Sequence, residues 1–134
     1  MGREVSIVPF RHKYLKALLD MHESQNYLEV SEINMKTLPK IGYICLLEGH
    51  PVAAGFLRRV EGGYAQIDTL VSNAHFGGLI RHEGIKKVVD ALIEDAKALR
   101  LRGIVSFTGD SGVLKRAEAL GFHVVNQQLI ALRL

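Results

Sequence analysis

Arg81, His82, Glu83, Gly84, Ile85 and Lys86 stand directly ahead of a long apolar-periodic stretch. Their types and spacing suit an anion-binding helix start. The first turn of a helix carries backbone N–H groups with no intrahelical partner, and the helix dipole favours negative charge there. A glycine lets a ligand approach the backbone closely, and Arg81, His82 and Lys86 add donors around it. The chemistry offered is the holding of a phosphate. Other groups could move protons: Asp68 and Glu48 as acceptors, Tyr43 and Tyr64 as donors, and the imidazoles of His75, His82 and His123 as either. Each has a plain structural account as well, as a strand or turn carboxylate, a packing tyrosine or a loop histidine. The single cysteine, Cys45, sits in an apolar run with no histidine nearby. It reads as core rather than nucleophile, and it excludes an internal disulfide and a zinc cluster.

These groups need a scaffold, and the hydrophobic pattern outlines one. Residues 5–9 predict a first strand, and residues 12–23 a helix burying Tyr14, Leu15, Leu18, Leu19 and His22 on one face. A mostly polar stretch, 24–40, holds a short helix from Ser31. Strands over 41–48, 52–60 and 64–71, separated by Gly49-His50-Pro51 and Glu61-Gly62-Gly63, form an antiparallel meander. Residues 72–80 read as a glycine-bearing loop. The long helix then runs from about Gly84 to Leu99, burying Ile85, Val88, Val89, Leu92, Ile93 and Ala96, and ends at Arg102-Gly103. A short strand (104–108), a helix (113–120) stopped by Gly121, and a last strand or strand pair (122–134) complete the order.

Composition sets the outer bounds. A chain of 134 residues, 48% hydrophobic and 23% charged, suits one folded domain over 1–134. No apolar run approaches the roughly 18 residues that span a bilayer, and the N-terminus has no secretion signal. The expected setting is a reducing cytoplasm. The net charge of +3 includes Lys97, Arg100, Arg102, Lys115 and Arg116. These suit solvated helix ends better than a nucleic-acid surface, which would call for a denser basic run with interleaved aromatics.

The element order and two motifs resemble the GNAT superfamily of acyl-CoA-dependent N-acetyltransferases along nearly the whole chain. Arg81-x-x-Gly84-x-Lys86 is similar to that family's pyrophosphate motif, Arg/Gln-x-x-Gly-x-Gly/Ala. The stretch from Ala117 to Phe122 is similar to its Tyr-Glu-Lys-x-Gly-Phe helix ending. The resemblance implies an α+β (mixed α/β) fold: a twisted mixed sheet of about six to seven strands flanked by three to four helices. It implies acetyl-CoA as co-substrate, no metal, and an amine acceptor of unknown identity. The pantetheine would lie between splayed fourth and fifth strands, with backbone groups of Leu70 and Val71 facing it. The diphosphate would sit on the amides from Arg81 to Lys86, and Asp110 would take the place of an asparagine near the thiol end. Asp68 or Glu48 would serve as base. A homodimer paired through residues 124–134 is a further arrangement the resemblance allows. Lys86 at the third motif position and Ala117 at the place of the usual acid tyrosine keep a second reading open: a GNAT-like binding or assembly module without acetyl transfer.

Overall fold

A computed structural model describes residues 4–25, 33–60, 62–106, 111–125, 130 and 132. Five strands form one mixed sheet in the order β1-β2-β3-β4-β5. β1 (Val5–Pro9), β2 (Ile41–Leu47), β3 (His50–Val60) and β4 (Tyr64–Ser72) run antiparallel, and β5 (Gly103–Val105) lies parallel to β4. A 3-10 turn at His12–Tyr14 leads into α1 (Leu15–Ser24), α2 (Gly78–Ala98) joins β4 to β5, and α3 (Ser111–Ala119) follows β5. Connecting parallel β4 and β5 requires a crossover element, and α2 supplies it.

Helices cover both faces of the sheet. On one, Leu18 and Met21 of α1 pack on Ile44, Ala54, Phe56 and Val71. On the other, Val88, Val89, Leu92 and Ala96 of α2 pack on Cys45, Val52, Ala53, Leu57, Ala65 and Ile67. This two-faced burial explains why β3 reads as an almost unbroken apolar run from Val52 to Leu57 instead of alternating.

Four boundaries differ from the sequence expectation, each for a local reason. Glu48 and Gly49 both have positive φ, 50° and 81°, which makes a two-residue hairpin turn, so His50 and Pro51 belong to β3. α2 begins at Gly78, six residues ahead of the expected Gly84. Asn73 makes the early start: its side chain accepts from the His75 N–H at 2.9 Å and its carbonyl accepts from the Phe76 N–H at 3.2 Å. The link from β4 to α2 is therefore residues 73–77 rather than 72–80. α2 closes on Arg100 in the left-handed region, φ 58°, with the Leu101 N–H donating to the Ala96 carbonyl, so no glycine ends it. Residues 33–38 form a turn held by Asn34 Oδ1, which accepts from the Lys36 and Thr37 N–H groups; the expected short helix is absent from residues 33–40. Among the described residues the sheet has five strands, fewer than the expected six to seven. Described positions 122–125, 130 and 132 carry no strand, and the rest of 126–134 lies outside the described residues.

Candidate functional site

β4 and β5 pair over only three positions: Tyr64 with Gly103, Ala65 with Ile104, Gln66 with Val105. Beyond Gln66, β4 continues to Ser72 with no strand beside it on the β5 side among the described residues. Among the described residues, one edge of residues 67–72 has no strand hydrogen-bonded to it, the kind of edge that can accept an extended partner.

That open half is also bent. Ala54 pairs with Val71 and Phe56 with Asp68, so Thr69 and Leu70 together oppose Gly55, a β-bulge. Thr69 takes φ 54°, which is rare for a β-branched residue and marks local strain. The extra residue inverts the facing of everything after it. Ile67 faces α2 and Asp68 faces α1, while Leu70 returns to the α2 side and Val71 to the α1 side. Leu70 fills the space over Gly55, where a Cβ would fall 2.7 Å from its Cδ1. With both side chains in the cores, Leu70 and Val71 have backbone groups to offer a ligand and little else.

The first turn of α2 lies at the end of this open half. Its N-cap, Gly77, provides no side-chain cap, and no acidic residue lies in the first turn. A Cβ at Gly77 or Gly78 would meet nothing within 4 Å, and Leu79 is 88% exposed. In this first turn the amides of Gly78, Leu79 and Ile80 have no intrahelical carbonyl to reach. Arg81 N–H already donates to the Gly77 carbonyl at 3.1 Å, and those of His82, Glu83, Gly84, Ile85 and Lys86 follow within the helix. The expectation that amides 81–86 form the first helix turn is therefore not met: that turn is one turn earlier, at residues 78–80.

Arg81 reaches the end of β4. Its Nε donates to Ser72 Oγ at 3.0 Å, bridging the end of β4 to the first turn of α2. No carboxylate among the described residues pairs with its guanidinium. Gly84, by contrast, is buried against β3, where a Cβ would fall 2.6 Å from Val52 Cγ1. It allows helix and sheet to approach, not a ligand. His82 is exposed, and Glu83 and Ile85 are half-buried on the body of α2. Lys86 turns outward to Asp90 Oδ2 at 2.9 Å, leaving the helix start clear.

Asp68 belongs to the open half, but both its oxygens are engaged. Oδ2 accepts from Arg58 Nε at 2.6 Å and Oδ1 from Thr69 Oγ1 at 3.0 Å. Arg58 is itself fixed by donating to the Thr37 carbonyl at 2.9 Å. Glu48 lies in the two-residue turn between β2 and β3, at the end of the sheet where β4 also ends. Asp110 lies outside the described residues, as does Thr108. Tyr43 donates to Asp95 Oδ2 at 2.6 Å, about 25 Å along α2 from its first turn at 1.5 Å per residue. That hydrogen bond, with burial and the charge of Asp95 adding to it, pushes its hydroxyl up to about 12. Tyr64 is on the paired half beneath the Arg102 guanidinium, 5.9 Å from the ring centre. His123 lines a groove between α2, β5 and the end of α3 with Ile93, Lys97, Arg102 and Phe122, beside the paired half. Cys45 is fully buried, and burial pushes its thiol up to about 11.

Sequence reasoning missed two residues at the open half. His22, 6% exposed beneath α1, contacts the backbone of Thr69 and lies near Asp68. Burial lowers its pKa below 6.5, against the raising effects of that backbone bond and of the Asp68 charge. Gln25 Nε2, just past α1, donates to the Ser72 carbonyl. The one signal for His22 was a histidine on an otherwise apolar helix stripe.

No group of His, Cys, Asp and Glu side chains among the described residues could hold a metal ion, and no helix is long and apolar enough to cross a membrane. No family model and no curated protein matches the sequence. Solved structures do match the fold. An acetyltransferase from Trypanosoma brucei superposes with a TM-score of 0.73 at 15% identity, covering 98% of this chain and 100% of its own. An aminoglycoside N-acetyltransferase in complex with CoA gives 0.70 at 13%, covering 99% and 97%. An acetyltransferase of the GNAT family from Staphylococcus aureus gives 0.65 at 14%, covering 88% and 81%. The fold of this chain is that of the GNAT acetyltransferases.

Proposed function

We propose that the chain binds an acyl-CoA across the open half of β4 and the first turn of α2, and transfers its acyl group to an amine. The observation that carries this reading is the continuation of β4 past its last pair with β5 at Gln66, with no strand beside it on that side among the described residues, next to a helix start with no side-chain cap. CoA has an extended amide-bearing arm and a diphosphate, and each suits one of these features. The unpaired edge of residues 67–72 would receive the amides of the arm as a neighbouring strand would. The free amides of Gly78, Leu79 and Ile80, with Arg81 held in place by Ser72, would take the diphosphate. When bound, acetyl-CoA supplies an acyl group activated as a thioester. The chain's own contribution is backbone N–H groups near Leu70 and Val71, aimed where negative charge develops on the carbonyl oxygen.

An ammonium must lose a proton before it can attack, and Asp68 is the carboxylate on the open half. Its oxygen must give up Arg58 to accept that proton, so approach of a cationic amine to Asp68 would have to compete with the guanidinium. The same observation favours the second reading, a module that binds without transfer. A carboxylate fixed by Arg58 and Thr69, together with Ala117 in place of a tyrosine, leaves that module without a ready base or acid. Titration calorimetry with CoA and acetyl-CoA, followed by thiol release across a panel of amines, tests both. Binding and turnover support the enzyme. Binding without turnover on any amine supports the module. No binding at millimolar CoA overturns both.

A further inference from the structure

We propose that the last turn of α1 is a positioning clamp for the open edge of β4, in which His22 and Gln25 hold the bulged backbone of residues 69–72 in the shape that receives an acyl-CoA. The proposal rests on the acyl-CoA reading and adds the part of the chain that prepares the site. A strand with no partner on one side among the described residues, bulged and with a threonine at φ 54°, has few forces of its own to hold one shape. The structure supplies two from the same side. The buried His22 imidazole lies at the backbone of Thr69 at the bulge, close enough for that backbone to bear on its titration, and Gln25 donates to the carbonyl of Ser72 where β4 ends. The two tethers lie three residues apart on α1 and three apart on β4, so they bracket the segment.

The anchor is firm. Leu18 and Met21 seat α1 in the core against Ala54, Phe56 and Val71, and Ser24 Oγ donates to the Met21 carbonyl at 2.9 Å, fixing the helix end. Ser72 also takes Arg81 Nε on its hydroxyl, so the clamp reaches the anion seat through one residue. Neither His22 nor Gln25 is assigned contact with the ligand. They act by fixing backbone that would touch it, and rigid backbone costs less to organise on binding.

The test compares the wild-type chain with Gln25→Ala, His22→Leu, His22→Asn and His22→Gln by two measurements. One is CoA affinity by calorimetry. The other is amide hydrogen exchange of the peptide covering residues 69–72 in ligand-free protein. His22→Leu and Gln25→Ala are expected to weaken CoA binding about tenfold each and to speed exchange in that peptide, with circular dichroism unchanged. At least one of His22→Asn and His22→Gln, which return a donor toward Thr69, is expected to recover both. Unchanged exchange in His22→Leu and Gln25→Ala would overturn the clamp, whatever happens to CoA. Should the wild-type chain bind no CoA, the acyl-CoA reading fails and the clamp with it as a device for that ligand. Wild-type binding with equal affinity in both variants sinks the clamp alone.

Discussion

The two ends of α2 show what the fold does with polar groups. At its C-terminal end everything is closed. Arg100 turns the chain, Asp95 takes the Tyr43 hydroxyl, Arg102 covers Tyr64, and β5 pairs with β4. At its N-terminal end the cap has no side chain, an added Cβ at Gly77 or Gly78 would meet nothing within 4 Å, and β4 runs on with no strand on the β5 side among the described residues. Helix ends without caps cost stability. The chain bears that cost at one end and avoids it at the other, and the difference separates a fastening from a seat.

Gly84 and Gly78 test the contrast most sharply, because they lie on one helix. Gly84→Leu should destabilise the fold by about 3 kcal/mol, since its side chain would enter Val52; urea denaturation measures it. Gly78→Ala should change stability by less than about 0.5 kcal/mol, because nothing lies within 4 Å of the added Cβ. Equal losses at both positions would erase the distinction between packed and open glycines. Arg81→Ala comes next. Loss of one charge-assisted contact should weaken CoA binding by about ten- to a hundredfold with only a small loss of stability. A large fall in stability without a change in affinity would make Arg81 a fastening too.

Much of this contrast was visible before the structure. The meander, the amphipathic helices and the Gly121-Phe122 helix stop follow from apolar period and turn residues, which are local. The start of α2 did not follow. Residues 78–83 lack the apolar repeat, and their helix is set by the Asn73 turn, which carries no periodicity. That error placed Gly84 at a ligand when it belongs to the core. The bulge at Thr69 and Leu70 was equally hidden, since an extra residue in one strand depends on its pairing with another, and facing beyond it could not be read. Arg81 was singled out through a motif placed one turn too late on the helix, and its side chain points back toward the helix start, where it meets Ser72.

Tyr43→Phe probes the closed end at lower amplitude. Losing the bond to Asp95 should cost about 1 kcal/mol in urea denaturation and leave CoA affinity unchanged. The wild-type chain should also lose stability as pH rises from 10 toward 12. There the unfolded tyrosine ionises while the folded one, pushed up to about 12, holds its proton. Tyr43→Phe removes that dependence, and an identical alkaline profile in both proteins would mean that the bond to Asp95 does not form in solution.

His22 gives the smallest effect and joins stability to the open end. Burial holds its folded pKa below 6.5, so as pH falls through 6.5 the unfolded chain takes up a proton that the folded chain refuses. Stability should therefore decline on the acid side of 6.5, by no more than about 1.4 kcal/mol per pH unit, and level off once the folded imidazole is protonated as well. Asp68 near the imidazole limits the shift, since its charge favours the protonated form. The difference in urea midpoint between wild type and His22→Leu, measured from pH 7.5 to 5, isolates this contribution from the other carboxylates. A difference that narrows from pH 6.5 downward is expected, because the leucine variant has no imidazole to protonate on unfolding. A constant difference would mean that His22 titrates alike in both states, which a histidine enclosed between α1 and the bulge of β4 could not do.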